Sequence, residues 1–138
     1  DSPTTPNGGT ASNDVTLVGA DQNAPVVIHN VGAGVHGTDA VNVNQLQTLG
    51  NQLNSHIDGI EHNANAGTAA AMAVAGLPQA YLPGKSMMAV AGSTYRGEGG
   101  YAIGFSSISD GGNWVIKGTA SGNSRGHYGA TAGVGYQW

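Results

Sequence analysis

The sequence contains no cysteine. That excludes disulfides, thiolate metal sites and a cysteine nucleophile. The lack also suits a chain that crosses an oxidising periplasm. Charge is scarce as well. Only 9% of residues are charged, with 4 Lys and Arg against 8 Asp and Glu, for a net charge of -4. The basic residues Lys85, Arg96, Lys117 and Arg125 form no run, so the electrostatic footprint of a nucleic-acid binder is missing and no nucleic-acid partner is expected. Long apolar runs are absent too. The best candidate, Ala69–Leu77, is too short to cross a bilayer as a helix, so a membrane role would have to be β. No serine sits in a GxSxG turn. The 5 histidines are scattered, and His56 and His62 miss the i, i+4 spacing of a helical metal pair, so no metal site is expected within one chain. Asp58 and Glu61 stand at i, i+3 but read as a solvated helix face. The sequence offers no catalytic residue and no cofactor site, and the chain is not expected to be an enzyme.

Glycine, by contrast, is plentiful, at 24 residues. The stretch VVIHNVGAGVHGTDAVNVNQL, Val26 to Leu46, contains Gly32, Gly34 and Gly37 in the order GxGxxG. A β-branched run lies before them and a potential helix start after, as in a dinucleotide-binding unit. Such a unit needs a second parallel strand ending in an acidic residue. Here the chain continues into Ala, Gly, Pro and hairpin signals instead. The glycines read better as a tight connector.

The pattern changes several times along the chain. Residues 1–14 are Ser, Thr, Pro, Asn and Gly and read as a flexible linker. The opening DSPTTPNGGT has neither Met nor an apolar leader core, as expected of a mature chain or the end of a longer one. Residues 15–38 hold two short strand-like runs, VTLVG and PVVIHNV. Thr38 or Asp39 can cap a helix. Leu46, Leu53, Ile60, Gly67 and Val74 then recur every seventh residue, with Leu49, His56, Asn63 and Ala70 three further on. This is an a/d seam over about four heptads. The helix is expected from about Asp39 to Ala75, within a coiled-coil segment 39–77, with no other apolar face. A narrow stripe of this kind is best buried by partner chains. Gly76-Leu77-Pro78 ends the helix.

Over residues 85–138 the period becomes two. Tyr128, Ala130, Ala132, Val134, Tyr136 and Trp138 alternate with Gly129, Thr131, Gly133, Gly135 and Gln137. The same split sets Met88, Val90, Gly92 and Thr94 against Ala89, Ala91 and Ser93. It sets Tyr101, Ile103 and Phe105 against Gly100, Ala102, Gly104 and Ser106, and Trp114 and Ile116 against Val115, Lys117 and Thr119. Turn residues separate these runs, giving four antiparallel strands of about ten residues, the length of a tilted transmembrane strand. One face is apolar with aromatics at both ends, as at the two membrane interfaces. The other is small, where something must approach closely. A soluble four-stranded sheet is the competing reading, but it would carry Lys, Glu and Thr on that face. Lys117 points inward, to a helix bundle or to pore water.

Four strands cannot close a barrel, and an open edge cannot sit in lipid. Several chains must pool their strands. Two chains would give about eight, whose interior is already filled by side chains. Three, the number inferred from this geometry, would give about twelve, with room for helices inside, although four are not strictly ruled out.

Together these features resemble the membrane anchor of trimeric autotransporter adhesins of the YadA type, over about Val26 to Trp138. HNVGAGVHGTDAVNVNQL is similar to the family's neck. VAGSTYRGEGGYAIGFS is similar to its first anchor hairpin, with the turn at Tyr95, Arg96 and Gly97. GVGYQW closes the chain on an aromatic, Trp138. The resemblance implies a membrane β-barrel plus coiled coil: one long helix and four antiparallel strands per chain, three chains forming a barrel of about twelve strands with helices in the pore. It implies an outer-membrane homotrimer with its stalk on the cell surface, which anchors an N-terminal adhesive passenger and helps export it. Outer-membrane lipid, the barrel assembly machinery and, through the passenger, host surface ligands are the implied partners. Ala89, Ala91, Ser93, Gly104 and Gly133 would pack against the helices. Ser93 departs from the family, which usually carries glycine there, but it stays small. Tyr128, Tyr136 and Trp138 would serve as girdle and assembly signal. His56 and Asn63 would form three-fold polar layers that set register, and the Asn63 layer could hold an anion. Asp110–Asn113 would be a periplasmic turn, and the turns at Arg96–Gly100 and Ser121–Gly126 would be external. The other functional readings are a trimeric pore that conducts solutes and a soluble trimeric stalk or fibre protein.

Overall fold

The computed structural model describes residues 13, 15–21 and 23–138. The expected linker over 1–14 lies outside them, Asn13 apart. The chain divides into two units, Asp1–Gly50 and Asn51–Trp138.

In the first unit, the described part of 15–38 contains no strand. A strand exists only as half of a ladder, and the expected short strands find no second strand in this chain. Helix α1, Val43–Ala75, begins in the first unit and has most of its length in the second; its 33 residues span roughly 50 Å at 1.5 Å per residue. It starts later than the expected Asp39, because Asp39 is spent on a turn. Its Oδ2 accepts the amides of Val35 and His36, each at 2.8 Å, while its own amide donates to the His36 carbonyl at 3.0 Å. The helix is capped instead by Asn42. Asn42 Oδ1 accepts the Gln45 amide at 3.1 Å, and Gln45 Oε1 accepts the Asn42 amide at 3.3 Å, a reciprocal capping box.

In the second unit the strands are β1 Ser86–Tyr95, β2 Glu98–Ile108, β3 Trp114–Asn123 and β4 Tyr128–Tyr136. They form one antiparallel sheet in the order β1-β2-β3-β4. The β1–β2 turn has only Arg96 and Gly97 between the paired Tyr95 and Glu98, with φ of 47° and 83°. Positive φ at both positions is the type I′ hairpin, whose twist matches its strands, and glycine supplies the second position without strain. The alternation of faces is as the period-two pattern predicts. On β2, Glu98, Gly100, Ala102, Gly104, Ser106 and Ile108 are buried, while Tyr101, Ile103 and Phe105 are exposed.

Helix α1 carries a second face that the heptad pattern did not reveal. Ala66, Ala69 and Ala73 are fully buried, at helical spacing, on the flank of the a/d seam. Alanine hides on a hydropathy scan because it adds little apolar area, yet it lets two backbones meet. The seam residues Leu53 and Ile60 stay exposed within the chain. Past the helix end, where Gly76 N–H donates to the Met72 carbonyl at 2.9 Å, the chain keeps tracking the inward row of β2. Ala69 meets Gly100, and Ala73 and Leu77 cluster with Ala102. Leu77 also reaches Gly104, the Ala80 amide donates to Ser106 Oγ at 2.8 Å, and the Gly84 amide donates to the Ile108 carbonyl at 3.1 Å. Each step of two strand residues is thus met by three or four residues of the opposing segment. Over the helical part, two strand residues rise about 6.7 Å and one helical turn about 5.4 Å, so the spacings match there when the strand is inclined by roughly 35°. That is within the tilt range of membrane barrel strands.

Gly100 is the tightest point. A methyl group there would collide with the Ala69 carbonyl and the Ala70 nitrogen, whereas a methyl at Gly99 meets nothing within 4 Å. Gly100→Ala is expected to destabilise the helix–sheet contact by about 1–3 kcal/mol, the usual cost of overpacking. Gly99→Ala should be near neutral, and thermal melts of the two variants in the same detergent compare them directly.

Candidate functional site

The outward face carries two aromatic rows. Tyr101, Gly122 and Tyr128 share one register row, and the Tyr101 ring covers Gly122, which has no side chain to block it. At the other end Trp114 pairs with Tyr136, ring centroids 5.0 Å apart in an edge-on contact. Along β3 the rows are set by Gly122 and Trp114, about 27 Å of strand apart. An inclination of about 40° turns this into roughly 21 Å across a membrane, near the apolar band of about 25 Å. Between them, Met88, Val90, Ile103, Phe105, Ile116 and Val134 are all exposed. The chain end is tied down beside the lower row. The Gln137 amide donates to the Asn113 carbonyl at 2.8 Å, and Gln137 Nε2 donates to the Gly112 carbonyl at 2.6 Å. Trp138 projects free, with 102% relative exposure.

The inward face is where α1 sits. Ser93 Oγ donates to the Ala69 carbonyl. Ala91 and Ala89 pack on the cluster of Ala73, Leu77 and Ala102. A methyl at Gly104 would lie 3.0 Å from Leu77 Cδ1. Lys117 Nζ, 3.4 Å from the Leu77 carbonyl, reaches the end of the helical segment rather than open water. Four of the five expected packing residues (Ala89, Ala91, Ser93 and Gly104) thus line the helix seat. Gly133 does not: nothing lies within 4 Å of a methyl placed there, and β4 is exposed on both faces. Beside α1 a cleft of about 400 Å³ stays open, lined by Gly67, Ala70, Val74, Ser121, Gly129 and Thr131 among others. Asn63 is exposed on α1 and meets no partner in this chain among the described residues. Tyr128 is exposed in the upper aromatic row, and Tyr136 lies in the lower.

One constellation escaped the sequence reading. Glu98, 5% exposed, faces inward at the upper rim. Its Oε1 accepts from Arg125 Nε at 3.0 Å and Nη2 at 2.5 Å and lies 2.8 Å from His62 Nδ1, and Ser124 Oγ donates to Oε2 at 2.5 Å. The parity of β2 contained the signal. Glu98 is in phase with Gly100 and Ala102, so its carboxylate had to face inward and find donors.

The glycine fingerprint is occupied by the chain itself. The Gly34 amide donates to Gln45 Oε1 and Gln45 Nε2 donates to the Gly34 carbonyl, each at 3.0 Å. Asp39 takes the Val35 and His36 amides that a phosphate would need. The GxGxxG is a connector docked on the helix start.

An apolar sheet face bounded by aromatic rows, opposite a small-residue face that seats a heptad helix, defines a β-type membrane anchor with a coiled-coil stalk. Residues 78–138 match the family described as YadA-like membrane anchor domain, and residues 27–69 match the coiled stalk of trimeric autotransporter adhesin. The chain belongs to the trimeric autotransporter adhesins. It is 64% identical over 126 residues to autotransporter adhesin NhhA of Neisseria meningitidis serogroup B, covering 91% of this chain and 21% of that protein. It is 40% identical over 136 residues to EhaG of Escherichia coli O157:H7, covering 91% and 8%, and 32% identical over 158 aligned positions to BtaE of Brucella suis biovar 1, covering 93% and 21%. The chain therefore spans about a fifth or less of these adhesins' length. Its place is the bacterial outer membrane, with the stalk at the cell surface, and its role is to anchor an adhesin there. These relatives are adhesins, not enzymes.

The amides of His36 and then Val35 hold the Asp39 carboxyl below its ordinary value of 3.8. A depressed carboxyl stabilises the connector turn at pH above that value, and the contribution is lost as pH falls through the lowered one. The Val35 and His36 amide resonances should therefore move together with a midpoint below 3.8. Movement centred at or above 3.8 would contradict the Asp39 turn.

Proposed function

We propose that three copies pool their strands in one closed barrel of about twelve strands, with three α1 helices in its lumen. The observation that carries this is a double vacancy on one chain. β1 and β4 each have one neighbour only, and the inward face of β4 has no helix against it. The open cleft beside α1 has Gly67, Ala70, Ala71, Ser121, Gly129 and Thr131 among its walls, and these small residues suit a second helix at close range. Pairing β4 of one chain with β1 of the next closes the ladders, and the next helix fills the cleft. Gly133 then gains the contact it lacks in one chain.

In this assembly the segments take separate roles. Residues 15–38 form the neck connector, 39–77 the coiled coil with its C-terminal part in the pore, and 85–138 the barrel segment. The exposed Leu53 and Ile60 become the seam of the coiled coil. Asn63, at a d position, faces the three-fold axis, where three amide N–H groups can hold an anion. The aromatic rows lie at the two lipid interfaces, and the free Trp138 is the mark read by the barrel assembly machinery. The barrel carries an N-terminal passenger outward and then holds it, and the passenger makes the contact with host surfaces.

The full chain extracted in detergent should run unheated near three times its 13.7 kDa and collapse to that mass after strong heating. A detergent-independent monomer in both lanes would overturn the barrel. Crystals grown in bromide should show an anomalous peak on the axis at Asn63, and an empty axis there would remove the anion.

A further inference from the structure

Most ties between the helical segment and the sheet are blind to sequence register. Ser93 and Lys117 each bind a main-chain carbonyl, of Ala69 and of Leu77, and a carbonyl recurs at every residue. The small inward residues of β2 accept any small residue one turn away. Two contacts join named side chains. Arg96 Nη1 lies 3.6 Å from Glu61 Oε1, but both side chains are more than half exposed, so solvent screens the pair. The other is His62 with Glu98. Glu98 has a side chain only 6% exposed, while His62 offers Nδ1 at 2.8 Å from a side chain 52% exposed. The same carboxylate holds Arg125 and Ser124 of the β3–β4 turn. It therefore joins three parts of the unit: α1, the β1–β2 hairpin and the β3–β4 hairpin. A slip of one helical turn, about 5.4 Å, would carry His62 away and leave the buried carboxylate one donor fewer, held by Arg125 and Ser124 alone.

We infer that Glu98 is a positioning residue, a clasp whose contact with His62 fixes where α1 comes to rest against the upper rim of the sheet. Arg125 and Ser124 hold the carboxylate in place, and His62 is the stop on the moving element. The consequence for export rests on the anchor-and-translocator reading: the clasp sets the final seat of the helix once the passenger has passed.

The absence of native cysteine allows a clean test. Nitroxide labels are placed singly at Asp58→Cys on α1 and at Asp110→Cys on the β2–β3 turn of the full chain in detergent. In the unsubstituted background both spectra set the reference. His62→Ala and Glu98→Gln should each shorten the rotational correlation time at position 58 by at least threefold and leave position 110 unchanged. His62→Gln retains a donor and should restore the immobile spectrum. His62→Ala touches only a half-exposed helix residue, so it tests the clasp even where Glu98→Gln disturbs folding. An unchanged spectrum at position 58 in His62→Ala overturns the clasp. Loosening at both positions without rescue by His62→Gln also overturns it, because Glu98 would then be serving the fold at large. Absence of a heat-resistant trimer from the unsubstituted chain counts against the barrel reading instead, and the label comparison still decides the clasp.

Discussion

A β-strand edge in hydrocarbon leaves N–H and C=O groups with neither water nor a neighbour, and that cost governs this chain. Each end of its sheet, β1 and β4, offers one such row, while the outward face between the aromatic rows is apolar and exposed. The apolar face demands lipid, and lipid forbids the open edges. A single copy cannot meet both demands. In the proposed trimer, further copies of the same chain meet both, and they also bury the exposed a/d seam of α1. One constraint thus accounts for three otherwise separate features: the free edges, the uncovered inner face of β4 and the unburied heptads.

The second constraint is room. A helix inside a barrel needs its backbone close to the wall, and β2 provides the wall through Gly100, Ala102 and Gly104 opposite Ala69, Ala73 and Leu77. The fit is by spacing as much as by size, since two residues of an inclined strand advance about as far as one helical turn. Small residues alone would allow the helix to slide. Ser93 and Lys117 bind main-chain carbonyls that recur at every residue, so the contact of His62 with Glu98 is what opposes sliding in the proposed clasp.

The strands were legible because period two survives any partner: every face assigned to β1, β2 and β3 from alternation agrees with the burial along those strands. The helix was legible from its heptads. Its first turn was misplaced because Asp39 and Asn42 are both good caps, and only the fold shows that the Val35 and His36 amides claim the first. The Ala66–Ala69–Ala73 face stayed hidden because alanine is neutral in periodicity. Glu98 was hidden for a different reason. Its partners Arg125 and His62 lie 27 and 36 residues away, and no local pattern links them. The inter-chain contacts proposed for Gly133 and Asn63 leave no trace in one chain.

The most direct test of the account is a cross-link between sheet edges. A Val90→Cys substitution on β1 is combined in turn with Ala130→Cys, Ala132→Cys or Val134→Cys on β4, all outward residues of edge strands, and the membrane-embedded protein is oxidised. If β4 of one copy pairs with β1 of the next in a closed ring of three, at least one combination gives covalent dimers and trimers and nothing larger. Products that stay monomeric in every combination, or that extend beyond three chains, would contradict it.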